Sequence, residues 1–463
     1  MKIPKRLKAV ALVAAVASLS APDVSGASGS ASLTVPTEHG TVTGVARENM
    51  EAWLGIPYAA PPVGPLRWKP PQPAPRRTSP LLAQTPSAGC AQNQDLGVFA
   101  KAGGSEDCLF LNVYRPAGSA GDRKAHPVFV WIHGGALRVG RGEDYDPHKL
   151  VAAGAVVVTI NYRLGVFGFF AHPDLAVGRR VTANFGLLDQ QAALGWVQRN
   201  IAAFGGDPRR VTIAGESSGG ASVIFHVISQ GSSGLFERAI AMSGSAVMIR
   251  HPAFGAPVPL SVSLQRGLDF AKDTGCTGKG AHCLRALTTQ QVLAAQSPYV
   301  TNQILLDDTV VPVHPADLVA AGKVNPVTLI NGNTRAEGTF FVALEEIGRG
   351  RNLAEGSYSQ ALNAYYGTAL GPKVAVEYPV FAFSSPSAAY AATMTDSLFA
   401  CPGLRLDRLL SNRLPLYAYE FSDDTAPSYT APTSFPLGAG HTLELSYVFP
   451  GLSGANPVKP VLN

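Results

Sequence analysis

The segment RRVTIAGESSGGASVIFHVIS, residues 209–229, constrains the chain more than any other. A short apolar, β-branched run leads into Gly215-Glu216-Ser217-Ser218-Gly219, and a mostly apolar stretch of helical length follows. Strand, glycine turn and helix in this order form a turn that lifts its central side chain above the end of a parallel sheet. The register makes Ser217 the central residue, because the position two before Ser218 is Glu216 and not glycine. The turn forces a strained backbone on that residue, and small neighbours let strand and helix approach. The helix after Ser217 aims its free N–H groups and positive end at the turn. Ser218 is expected to serve through its backbone N–H and small size, not its hydroxyl.

A turn of this kind needs buried strands around it. PVFVWIHGG, AVVVTINYR, ERAIAMSGS, NPVTLINGN and PLYAYEFSD supply short apolar runs of that type. Between two of them, Leu187, Leu194, Val197, Ile201 and Phe204 fall on one helical face, and Gly205-Gly206-Asp207-Pro208 ends that helix. The alternation predicts an α/β fold with a mostly parallel sheet. At 463 residues and 46% hydrophobic, the chain can bury one large core of this kind. The Pro-rich stretch from Pro57 to Pro86 reads as an extended surface segment. Residues 261–321 read as a largely helical lid or side region.

The N-terminus is separable. Lys2, Lys5, Arg6 and Lys8 precede an apolar run from Ala9 to Leu19, then small residues. That is the layout of a secretory signal peptide, with residues 1–27 removed and a single domain over 28–463. The run is too short to span a bilayer, which takes about 20 apolar residues. Residues 1–27 carry four basic side chains and Asp23, so without them the formal charge of +5 falls to +2. No basic stripe for nucleic acid remains. Export allows disulfides. Cys90–Cys108 and Cys276–Cys283 would each close a short loop, leaving Cys401 as a free, buried thiol, although spacing alone does not fix connectivity. No metal motif is present.

A serine nucleophile needs a base, usually His, oriented by a carboxylate. His251, His282, His314 and His441 follow Ser217 at some distance, and His441 lies in a glycine-rich loop near the chain end. Glu337, Asp423 and Asp424 each follow a buried strand, and pattern alone does not choose among them. His133-Gly134-Gly135-Ala136 ends an early strand and would present unobstructed backbone N–H groups to an oxyanion.

Taken together, GIPYAAPPVGPLRW, SEDCLFLNVYRP, VFVWIHGGAL, VTINYRLGVFGFF, the elbow segment, NGNTRAEGTFF and GAGHTLELSYVF resemble the type-B carboxylesterases, the cholinesterase-like branch of the α/β hydrolases. The resemblance runs from about Gly40 to Gly451. It implies a Ser217–Glu337–His441 triad, oxyanion donors at Gly135, Ala136 and Ser218, and supporting acids at Glu216 and Glu444. It also implies the two disulfides Cys90–Cys108 and Cys276–Cys283. Small-molecule ester hydrolysis without metal or organic cofactor follows from the same likeness. A non-catalytic cholinesterase-like interaction protein and an inactive truncated product are the rival readings. Three departures stand out. Ala136 replaces the family's third oxyanion glycine. The Cys90–Cys108 loop has no tryptophan, which argues against quaternary-ammonium recognition. The resemblance also implies a further Trp-Phe-rich helical segment after the last matching residues, so a C-terminal truncation is expected, and loss of a helix that packs on the sheet is expected to expose apolar surface and lower stability.

Overall fold

The computed structural model describes residues 33–450, apart from 95, 97–100, 123, 251–255, 301–302, 429 and 431. The expected signal peptide therefore lies outside the described residues.

Nine strands form the main sheet: β1 (Val45–Arg47), β2 (Met50–Pro57), β3 (Phe110–Pro116), β4 (His126–Ile132), β5 (Val156–Ile160), β6 (Gly206–Glu216), β7 (Arg238–Met242), β8 (Thr328–Thr334) and β9 (Leu416–Phe421). Their order is β9-β8-β7-β6-β4-β5-β3-β2-β1. From β5 through β4 to β9 all pairs are parallel, while β3, β2 and β1 add on antiparallel. The six runs read from the sequence are the six parallel strands, but β9, at the sheet edge, has no buried residue, contrary to the expectation of a buried strand. All five residues of β5 are buried, as a strand covered on both faces requires.

The antiparallel strands carry polar residues that only pairing explains. Glu51 on β2 stands opposite Arg115 on β3, and their side chains meet at 2.5 Å while both are buried. A small separate sheet joins Thr34–Thr37, Gly40–Thr43 and Leu81–Leu82.

Helix α1 (Phe185–Asn200) continues into a 3₁₀ turn, and the five residues predicted to share a face are all fully buried. Gly205, at φ 84°, closes it in the left-handed conformation expected of a C-terminal glycine. Helix α2 (Ser218–Ile228) leaves the end of β6, and α3 (Glu337–Arg349) leaves the turn after β8. Leu260–Asp273, Gly280–Ala286, Thr289–Ala295 and Pro315–Ala320 are helical, so the side region has the expected character. The Pro-rich stretch is more than surface: Trp68 is buried and donates to Val166 O at 2.8 Å, and Arg67 forms a buried ion pair with Glu106.

One cross-sheet row, Trp131–Ala214–Ile240–Ile330–Tyr417, runs in register from β4 to β9. Burial declines along it, from fully buried Trp131 to Tyr417 at 64% exposure. Cys90–Cys108 and Cys276–Cys283 are bridged. Cys401 is free but exposed, not buried. It opens an amphipathic helix, Cys401–Leu410, whose buried residues include Leu406 and Leu410 and leave position 401 outside.

Candidate active site

The glycines around Ser217 are there for space. A Cβ on Gly215 would stand 2.6 Å from the Gly219 carbonyl carbon, and one on Gly219 would stand 2.1 Å from Ile132 O. Real Cβ atoms do not approach so closely, so β4, β6 and α2 converge only if both positions lack a side chain. Ser217 takes φ 56°, ψ −124°, and its N–H donates to Met242 O at 2.9 Å. A non-glycine residue in such a conformation costs on the order of 1–3 kcal/mol, borne by the surrounding structure.

Glu337 is the first residue of α3 and is completely buried. Its Oε1 accepts from Ser243 Oγ at 2.5 Å and from Thr334 N at 2.8 Å, and its Oε2 lies 2.5 Å from His441 Nδ1. An ionised carboxylate only accepts hydrogen bonds, so Nδ1 carries the proton and Nε2 keeps its lone pair. The loops of the two residues are tied by Ala336 N donating to Ala439 O at 2.9 Å. The His441 ring sits near Phe341 and Phe399, at centroid distances of 4.9 and 5.0 Å. Nε2 lies 3.2 Å from Glu216 Oε1, and no hydrogen bond joins it to Ser217 Oγ among the described residues.

Two buried carboxyl groups, Glu216 and Glu337, thus flank one imidazole, and a third, Glu444, lies near enough to interact electrostatically with them. Burial, with the charge of Glu337 added, pushes Glu216 well above the usual carboxylate range. Burial and the charges of Glu216 and Glu337 do the same to Glu444. Neither Glu444 oxygen has a hydrogen-bond partner among the described residues. Glu337 is the carboxyl supplied with donors, Ser243 Oγ and Thr334 N.

The rejected candidates stand elsewhere. Asp424 pairs with Arg335 at the surface, and Asp423 accepts from Thr425 N and Tyr447 OH. His314 caps the helix Pro315–Ala320 and reaches Ile249 O, His282 is exposed, and His251 lies outside the described residues.

The glycine loop after β4 lies against the elbow. A Cβ on Gly134 would meet Glu216 O at 2.7 Å, and Gly135 takes φ 101°. Ala136 and Leu137 both take φ 57°. Leu137 N donates to Ser218 Oγ at 3.1 Å, so the Ser218 hydroxyl is in use, contrary to the expectation from sequence. That reading weighed only the turn, and the partner lies 81 residues away.

Sequence reasoning also passed over Ser243. Its signal was AMSGS, a second Ser-Gly at the end of a buried run.

The chain is similar to known esterases over nearly its whole length. A profile of the carboxylesterase family matches residues 31–458. Human cocaine esterase is 36% identical over 437 residues, 89% of this chain and 76% of that protein. Para-nitrobenzyl esterase of Bacillus subtilis (strain 168) is 35% identical over 430 residues, covering 91% and 83% of the two chains. A solved PNB esterase structure superposes with a TM-score of 0.74 at 32% identity, over 91% of this chain and 85% of the other. Sheet order, elbow and sequence agree: the chain belongs to the carboxylesterase family and is a carboxylic ester hydrolase.

Proposed function

We propose that the protein hydrolyses small carboxylic esters with Ser217 as nucleophile, His441 as general base and acid, and Glu337 as the residue that orients and charge-balances the imidazole. The observation that carries this reading is the 2.5 Å contact between His441 Nδ1 and Glu337 Oε2 beside the strained Ser217 turn. Ser217 Oγ bonds to the ester carbonyl carbon as its proton passes to His441 Nε2. The N–H groups of Gly135, Ala136 and Ser218 stabilise the resulting oxyanion, each such donor being worth roughly 3–4 kcal/mol of barrier. Collapse breaks the bond to the alkoxy oxygen, which takes the proton from Nε2 and leaves as alcohol. Water then attacks the acyl-enzyme with His441 again as base, releasing the acid and restoring Ser217.

These steps need Nε2 within reach of Ser217 Oγ, a hydrogen bond that is often long without substrate and tightens when it binds. Burial pushes Glu216 and Glu444 toward their neutral forms, and Glu337 is the carboxyl in contact with Nδ1. Phe341 and Phe399 give the reacting centre an aromatic, uncharged border, which suits apolar ester groups. The basic and apolar N-terminal segment and the two disulfides support a secreted protein.

The test is hydrolysis of p-nitrophenyl butyrate by the purified protein and by Ser217→Ala. The expected loss in kcat is about 10³-fold or more, with circular dichroism unchanged. Equal rates would refute the assignment.

A further inference from the structure

Two consecutive non-glycine residues, Ala136 and Leu137, hold left-handed backbone in the loop that offers N–H groups to the oxyanion. Such residues relax toward right-handed or extended conformations unless neighbours fix them. Gly135 O accepts from Arg138 N and Val139 N, both at 3.0 Å, and Leu137 O accepts from Gly165 N at 2.8 Å. The bond that ties this loop to the elbow helix is made by a side chain, Ser218 Oγ accepting from Leu137 N at 3.1 Å.

The other end of the segment is held by a second hydroxyl: Tyr162 donates its single hydrogen to His133 O at 2.7 Å. His133 and Leu137 flank Gly134-Gly135-Ala136, so the buried hydroxyls of Tyr162 and Ser218 hold one end of that segment each.

We propose that the Ser218 side chain is a positioning residue for the oxyanion loop, acting through Leu137 separately from the Ser218 backbone N–H. The inference rests on the reaction proposed above. Its effect falls where negative charge develops, so it should weaken the transition state and not the bound ester.

The experiment measures p-nitrophenyl butyrate kinetics and inhibition by an alkyl trifluoromethyl ketone, which forms an oxyanion adduct. In Ser218→Ala, kcat is expected to fall about tenfold, the size of one lost hydrogen bond. KM stays within about twofold, and ketone affinity falls in parallel with kcat. Tyr162→Phe is expected to follow the same pattern, and Ser218→Thr, which keeps a hydroxyl, to recover at least half of the loss. A Ser218→Ala protein with unchanged kcat and ketone affinity overturns the proposal, as does a loss confined to KM or a threonine variant as slow as the alanine one. If Ser218→Ala does not fold, Ser218→Cys takes its place: a thiol accepts weakly, so a partial loss of kcat supports the role and an unchanged kcat overturns it. Ser217→Ala run alongside separates the two claims, because turnover there equal to that of the unaltered protein defeats the triad and not the loop.

Discussion

Two adjacent parallel strands end in the same way and serve different purposes. β6 runs into Ser217 and β7 into Ser243, with φ 56° and 52°, both in the left-handed region that non-glycine residues avoid. Each backbone N–H donates to the next strand over, Ser217 to Met242 O at 2.9 Å and Ser243 to Gly332 O at 2.8 Å. The two turns abut: a Cβ on Gly244 would stand 2.2 Å from the Gly220 carbonyl carbon. The difference is in the hydroxyls. That of Ser243 is buried and committed to Glu337 Oε1, while Ser217 is only half-buried and its hydroxyl has no hydrogen bond among the described residues. Backbone strain at a strand end therefore does not by itself single out the proposed nucleophile. The elements that follow also differ: an 11-residue helix begins after Ser217, and only a short 3₁₀ turn, Ser245–Met248, comes after Ser243.

Parallel alanine substitutions sharpen this contrast. Ser217→Ala should cut turnover by about 10³-fold or more, and Ser243→Ala should only impair it. The Ser243 bond goes to a carboxylate that balances the imidazolium, and hydrogen bonds to charged groups contribute about 1.5–3 kcal/mol. A fall in kcat/KM of roughly 10–100-fold is expected. Equal losses in the two variants would mean that Ser243 does more than hold the acid.

Gly244→Ala tests the shared wall between the turns. Its φ of −105° suits any residue, so the penalty is the clash with the Gly220–Ala221 backbone. Overpacking of this kind costs typically about 1–3 kcal/mol. A lowered urea midpoint is expected, and an unchanged one would show that the turns can part freely.

The reach of the sequence follows the same logic. The elbow and the six parallel strands were legible because parallel strands here are continuous apolar runs, even the exposed edge strand β9, and the turn admits only glycine at 215 and 219. The antiparallel strands were not, since Glu51 and Arg115 look like surface residues until paired across the sheet. In the site, Ser217 and His441 could be argued from the turn and the late loop. The choice of Glu337 over Asp423 and Asp424 needed a family resemblance, because all three follow an apolar run that reads as a strand. The Ser218 and Ser243 hydroxyls were missed for one reason: their partners are 81 and 94 residues away.

The smallest expected effect concerns the unpartnered acid near Glu216 and Glu337. Glu444 is raised well above the usual carboxylate range, first by burial and then by Glu216 and Glu337, so the folded protein keeps it protonated where the unfolded chain would not. The folded state then binds more protons than the unfolded state over the interval between the two values, and stability falls as pH rises through it. Below the ordinary carboxylate range both states are protonated and the penalty vanishes. Glu444→Gln keeps the shape and removes the titration. Its Tm should match that of the unaltered protein near pH 4 and exceed it at pH 8, by on the order of 2–4 °C. A constant difference across that range would mean that glutamine merely packs better, and a lower Tm at pH 8 would mean that Glu444 is charged in the folded protein and stabilised there.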